Sequence, residues 1–192
     1  MTRLGVFGGT FDPPHVGHLV AAVNVRHALA LDRVLLVVAN DPWQKSGLRG
    51  ISSAEDRLAM VEAAVGDVEG LEASNLEIRR GGTSFTADTL SHLRAEDPQP
   101  ELFLVVGSDA AQGLPTWERI EEVRRLATIV VVARPGVVEG HPPPGWEWER
   151  VETPRVEVSS TDLRRRLVDG RPLDYLMTPS VIDCIKSREL YS

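Results

Sequence analysis

Residues 8–18 read Gly8-Gly9-Thr10-Phe11-Asp12-Pro13-Pro14-His15-Val16-Gly17-His18. Two glycines let a backbone approach a ligand closely. Two histidines follow at a spacing of three, where a helix start would add free N–H groups and a partial positive charge. That combination suits a phosphate. The bland alternatives are a tight Gly-Gly turn and a histidine pair on a metal, but no Cys or acidic cluster completes a set of three or four ligands. Asp12-Pro13 reads as a turn. A second run is Val158-Ser159-Ser160-Thr161-Asp162-Leu163-Arg164-Arg165-Arg166. Alone it reads slightly better as a helix cap ahead of a basic surface than as a second anion cradle of hydroxyls, N–H groups and a guanidinium. A triphosphate needs more than one cradle, so the first run tilts the second toward function. No standard nucleotide fingerprint fits. G-x-G-x-x-G is absent, and Lys45-Ser46 lacks the preceding glycine of a P-loop.

The elements that must hold these runs follow from apolar patterning. Leu4–Phe7, Val34–Ala39, Leu102–Val106 and Thr128–Ala133 are nearly continuous apolar runs, as expected of strands buried on both faces of a parallel sheet. Helical patterns lie between and beyond them: Val16–Leu31, Ala54–Val65, Thr86–Ala95, Trp117–Leu126, Ser160–Val168 and Pro179–Ser187. Ser53 with Asp56 forms a capping box, and Thr178 with Pro179 marks a helix start. Val151–Val158 reads as a last strand, and the proline-rich 137–148 stretch as an exposed loop. The alternation predicts a doubly wound (Rossmann-like) α/β parallel sheet, with helices on both faces and a small C-terminal helical portion. One domain is expected over 1–192, with a core at 1–136, a loop at 137–150 and a C-terminal strand and helices at 151–192.

Bulk properties narrow the class. The chain has 192 residues, 42% hydrophobic, and a net charge of −7. That argues against coating nucleic acid, which needs a basic face, though not against a small anion, because local charge decides that. Cys184 is the only cysteine, which fits a reducing compartment. No signal peptide is evident, and the apolar stretch at 28–39 is broken by Asp32 and Arg33, too soon to span a bilayer. A soluble, cytoplasmic protein with no membrane association is expected. Its oligomeric state stays open, a homo-oligomer included.

The first run resembles the T/H-x-G-H signature of nucleotidyltransferases, and Ser159–Arg164 resembles the S-S-T-x-x-R signature near their C-termini. Pro42-Trp43-Gln44-Lys45, Gly82-Thr83-Ser84-Phe85-Thr86, Gly107-Ser108-Asp109, Pro115-Thr116-Trp117 and Arg134-Pro135-Gly136 extend the likeness in order along nearly the whole chain. The whole is similar to the bacterial nicotinate mononucleotide adenylyltransferases. The resemblance implies transfer of the adenylyl group of ATP, carried with Mg2+, to nicotinate mononucleotide, with no metal site of the protein's own. It implies catalytic roles for His15 and His18. It also implies ATP binding by Gly8, Gly9, Thr10, Gly107, Asp109, Ser160, Thr161 and Arg164. Acceptor binding would fall to Asn40, Lys45, Ser84, Phe85, Thr86, Trp117 and Arg134. Read without it, Trp117 is as well explained as a core aromatic at a helix start, and Lys45 as a solvated loop charge. Two departures stand out. Many relatives have Tyr at the position of Phe85, and a Pro-Pro-His-Lys loop where this chain has Pro42-Trp43-Gln44-Lys45.

The attacking group would be the mononucleotide's own phosphate, already anionic. The protein then needs neither a nucleophile nor a strong base, only positioning and charge neutralisation. Rival readings are phosphopantetheine adenylyltransferase, which does not account for Ser84-Phe85-Thr86 with Trp117, a cytidylyltransferase, a tRNA synthetase fragment, and a non-catalytic nucleotide sensor. A sensor would be expected to lose a histidine or Arg164, and this chain keeps them.

Overall fold

Successive strand residues point to opposite faces of a sheet, and this chain uses that to build two cores. Val34, Leu36 and Val38 face one core while Leu35 and Val37 face the other; Phe103 and Val105 likewise oppose Leu102, Leu104 and Val106. The computed structural model describes residues 2–42, 50–133 and 140–191. In chain order the elements are β1 (Arg3–Gly9), α1 (Val16–Ala28), β2 (Arg33–Val38), β3 (Asp41–Pro42), α2 (Ala54–Val65), β4 (Leu71–Ser74), α3 (Leu76–Arg80), β5 (Thr83–Ser84) and α4 (Thr86–Glu96). These are followed by β6 (Glu101–Gly107), α5 (Ser108–Gly113), a 3-10 turn (Leu114–Thr116), α6 (Ile120–Leu126), β7 (Thr128–Ala133), β8 (Trp148–Glu152), α7 (Ser160–Asp169) and α8 (Pro179–Ser187).

Six strands form one sheet in the order β4-β2-β1-β6-β7-β8, and every neighbouring pair is parallel. The chain winds outward from β1 in one direction, then returns to add β6 on the other side. Strand order therefore reverses between β1 and β6, and their carboxyl ends flank the crevice where such sheets bind ligands. Helices α1, α2, α7 and α8 supply Val25, Met60, Leu163 and Ile185 to the core on one face; α4, α5 and α6 supply Leu90, Ala111 and Val123 to the other. The doubly wound architecture is as expected. No helix among the described residues is long and apolar enough to cross a membrane.

Local signals held where caps carried them. Ser53 accepts the Asp56 N–H at 3.0 Å, and Thr178 accepts the Val181 N–H at 3.3 Å. Three expectations are corrected. The last strand is Trp148–Glu152 rather than Val151–Val158. It is an exposed edge strand whose only buried residue is Val151, and Pro154, which has no N–H, lies just past its last paired residue. The first helix stops at Ala28 rather than Leu31, with Ala30 left-handed at φ 47°. The helix expected from Trp117 begins only at Ile120, because Arg119 takes a left-handed backbone (φ 52°) and its guanidinium pairs with Asp88 of α4. That ion pair is tertiary and has no local signature.

Leu36 is wholly buried in the central strand region. Leu36→Ala should lower the unfolding free energy by about 2–5 kcal/mol, read from urea denaturation with an unchanged m-value.

Candidate active site

The turn after β1 is shaped by aromatic packing. Phe11 is left-handed (φ 51°) and buried, and its ring lies over Gly9 so closely that a Cβ there would sit 2.7 Å from a ring carbon. The same ring meets His18 edge-on, with centroids 5.0 Å apart. His15 caps α1, and its backbone N–H donates to His18 Nδ1 at 3.1 Å. His18 Nδ1 is thus an acceptor, and the neutral ring carries its proton on Nε2. The two imidazoles stack at 3.7 Å. Gly17 makes the stack possible: a Cβ there would lie 3.0 Å from His15 Nδ1. Burial of the His15 ring lowers its pKa from 6.5 to about 4, so it is uncharged at neutral pH. Its Nδ1 has no hydrogen-bond partner among the described residues.

The second run is brought against the first. Ser160 Oγ donates to the Pro13 carbonyl at 2.9 Å, and Arg164 Nη1 donates to the Asp12 carbonyl at 2.6 Å. Arg164 Nη2 reaches Thr161 Oγ1 at 3.4 Å. Ser159 caps α7 by accepting the Asp162 N–H. Two helix N-termini therefore sit together at one end of the sheet, where N–H groups and dipoles favour anions.

A cleft opens at the carboxyl ends of β1 and β6. Gly8, Gly9 and Thr10 line one side, Gly107 and Ala110 another, and Ser84, Thr86 and Trp117 the far end. Asp109 is exposed in the first turn of α5, beside these residues. Thr86 opens α4, whose first-turn N–H groups have no side-chain cap. The indole Nε1 of Trp117 is buried without a partner among the described residues. Asn40 does not point loosely into the cleft. Its backbone N–H donates to Ser84 Oγ and its side-chain amide to the Gly82 carbonyl, both at 2.8 Å. Those bonds accompany a two-residue parallel pairing of β3 with β5. Phe85 is the half-buried cap residue of α4 and does not line the cleft. Lys45 and Arg134 lie outside the described residues.

Three further residues hold the site: Arg57 and Tyr191, which were given no site role in sequence, and Asp12, which was read there only as part of a turn. Arg57 is 1% exposed. Its guanidinium donates to the carbonyls of Ser52 (3.0 Å), Thr10 (3.0 Å), Ala39 (2.6 Å) and Asn40 (3.1 Å). Asp12, 3% exposed, accepts the Ser52 N–H and the Tyr191 hydroxyl. Burial, together with that bond to Asp12, pushes the Tyr191 phenol well above its ordinary range. A signal for Arg57 existed: it shares the i, i+4, i+7 stripe of buried residues with Val61 and Ala64.

The chain as a whole matches known proteins. A family model described as cytidylyltransferase-like matches residues 6–166. The chain is 42% identical to a probable nicotinate-nucleotide adenylyltransferase of Corynebacterium kroppenstedtii, over 98% of this chain and 90% of that one. It is 42% identical to one of Streptomyces coelicolor, over 96% and 98%. Among solved structures, a Plasmodium falciparum nicotinic acid mononucleotide adenylyltransferase complexed with NaAD shares the fold. Its TM-score is 0.81 at 17% identity, covering 100% of this chain and 98% of that one.

His15 supplies a pH test. The unfolded chain takes a proton at this residue near pH 6.5, the folded protein only near pH 4. Between those values acid favours the unfolded state, so this contribution to stability is complete above the upper value and is lost as pH falls toward the lower. The urea midpoint of the wild type should drop more steeply across that window than that of His15→Asn. Parallel pH profiles would show that burial does not shift His15.

Proposed function

Because the chain belongs to the cytidylyltransferase-like family, and within it to the nicotinate-nucleotide adenylyltransferases, we propose that its cleft joins ATP to nicotinate mononucleotide. The products are nicotinate adenine dinucleotide and pyrophosphate, a step of NAD biosynthesis. A phosphate oxygen of the mononucleotide attacks the α-phosphorus in line, the bond to the β-phosphate oxygen breaks, and no covalent enzyme intermediate forms. The observation that carries this reading is the junction of the two anion cradles, through Ser160 to Pro13 and Arg164 to Asp12, beside a cleft that ends at the α4 N-terminus. We read residues 1–192 as one nucleotidyltransferase domain working in the cytoplasm.

In this proposal Gly8, Gly9 and Thr10 receive the phosphate chain, and Gly107 and Asp109 face the adenosine. Ser160, Thr161 and Arg164 take the β- and γ-phosphates and the departing pyrophosphate. His18 offers its Nε2 proton at the α-phosphate. His15 waits uncharged, and an arriving anion raises its pKa so that it gains charge only when there is charge to meet. Among the described residues no three or more His, Cys, Asp or Glu stand together as a metal-binding set. The Mg2+ in this reading comes with the triphosphate and screens its oxygens. Ser84, Phe85 and Thr86 present the uncapped start of α4 to the nicotinate carboxylate, and Trp117 stacks on the ring. Asn40 holds that wall, while Lys45 and Arg134 add positive charge.

A pyrophosphate-release assay with Mg2+–ATP should show turnover of nicotinate mononucleotide and a clear preference for it over the amide. Turnover of phosphopantetheine alone would overturn the proposal. His18→Ala should lower kcat by roughly 100- to 1,000-fold at an unchanged unfolding midpoint. Trp117→Ala should raise KM for the mononucleotide several-fold while leaving KM for ATP in place; an equal rise in both would assign Trp117 to packing.

A further inference from the structure

Arg57 stands outside every role assigned above, yet its four acceptors are not a random set. The Thr10 carbonyl belongs to the nucleotide cradle. The Ala39 and Asn40 carbonyls lie just past the end of β2, on the acceptor side, and the Ser52 carbonyl in the segment leading into α2. Asn40 then passes the connection on, with its N–H to Ser84 Oγ and its side-chain amide to the Gly82 carbonyl. Two residues after Ser84, α4 begins. A continuous chain of hydrogen bonds therefore runs from the phosphate turn, through one guanidinium and one asparagine, to the acceptor wall. We infer that Arg57 is a positioning residue for adenylyl transfer, fixing the distance and angle between the nucleotide cradle and the acceptor pocket.

The choice of residue fits that task. A guanidinium is planar and rigid, with five N–H donors in fixed directions, so carbonyls bound to it are held at set angles to one another. A lysine offers three donors from a single point and cannot reproduce that spread. The position is also enclosed. Arg57 is almost fully buried and lies beside buried Asp12, which is itself occupied by Ser52 and Tyr191. In-line transfer between two separately bound anions is sensitive to this geometry, since a displacement of about 1 Å can cost on the order of 100-fold in rate.

The inference rests on the adenylyl-transfer reading, and the test separates the two. Wild-type turnover of Mg2+–ATP with nicotinate mononucleotide is measured first; its absence overturns the reaction and leaves the hydrogen-bond coupling to the exchange measurement below. Arg57→Lys and Arg57→Gln are then compared with wild type in kcat, in the Kd of each substrate bound alone, and in urea midpoint. The expected result for Arg57→Lys is a roughly 100-fold loss of kcat, with both separate affinities little changed and the protein folded at assay temperature. An unchanged kcat overturns the inference, as does a loss that follows the folded fraction or weakens both substrates equally. Should both variants unfold, amide hydrogen exchange in the wild type decides. Mg2+–ATP alone should slow exchange at Asn40 and Ser84 as well as in the phosphate turn, and protection confined to the turn overturns the coupling.

Discussion

The turn at residues 10–13 is the constraint from which the site is built. It must keep an aromatic ring, a buried carboxylate and a proline in one short stretch, and it does so because three of its carbonyls are met by donors from elsewhere. Arg57 takes Thr10, Arg164 takes Asp12 and Ser160 takes Pro13. A buried carbonyl left unpaired would cost roughly 1–3 kcal/mol, so the turn, α2 and α7 specify one another. The C-terminal segment joins the same knot when the Tyr191 hydroxyl donates to Asp12.

An acidic chain with a net charge of −7 has to bind anions locally. It does so with dipoles and neutral donors as much as with formal charge. The starts of α1, α7 and α4 lie toward the carboxyl end of the sheet, where first-turn N–H groups and helix dipoles favour anions. His15 and His18 are stacked and His15 is held uncharged by burial, which avoids placing two cations 3.7 Å apart in the free protein. Gly17 and Gly9 matter for the same reason. Each leaves room for a ring, His15 or Phe11, that sets the imidazole arrangement.

How far the fold could be read from the chain depended on burial. The four central strands were legible because residues buried on both faces form unbroken apolar runs. Both edge strands, β4 and β8, were missed or misplaced, since an edge residue faces solvent and carries no such run. Helix starts at Ser53 and Thr178 were legible because a cap is a contact between neighbours in sequence. The start of α6 was not, because Arg119 is bent by Asp88, 31 residues away.

The residue types and spacing of the two anion-binding runs, their attachment to strand ends and helix starts, and the whole-chain family likeness were determined by the sequence itself. These are local patterns, or patterns of residues in order. Tertiary structure alone decided that Arg164 reaches the Asp12 carbonyl across 152 positions and Tyr191 the Asp12 carboxylate across 179. It alone turned Asn40 into a strut and made Arg57 the brace between two sides of a cleft. The physical reason is the same in each case. A buried donor is satisfied by whichever acceptor the packing brings within about 3 Å, and nothing in the neighbouring sequence says which one that will be.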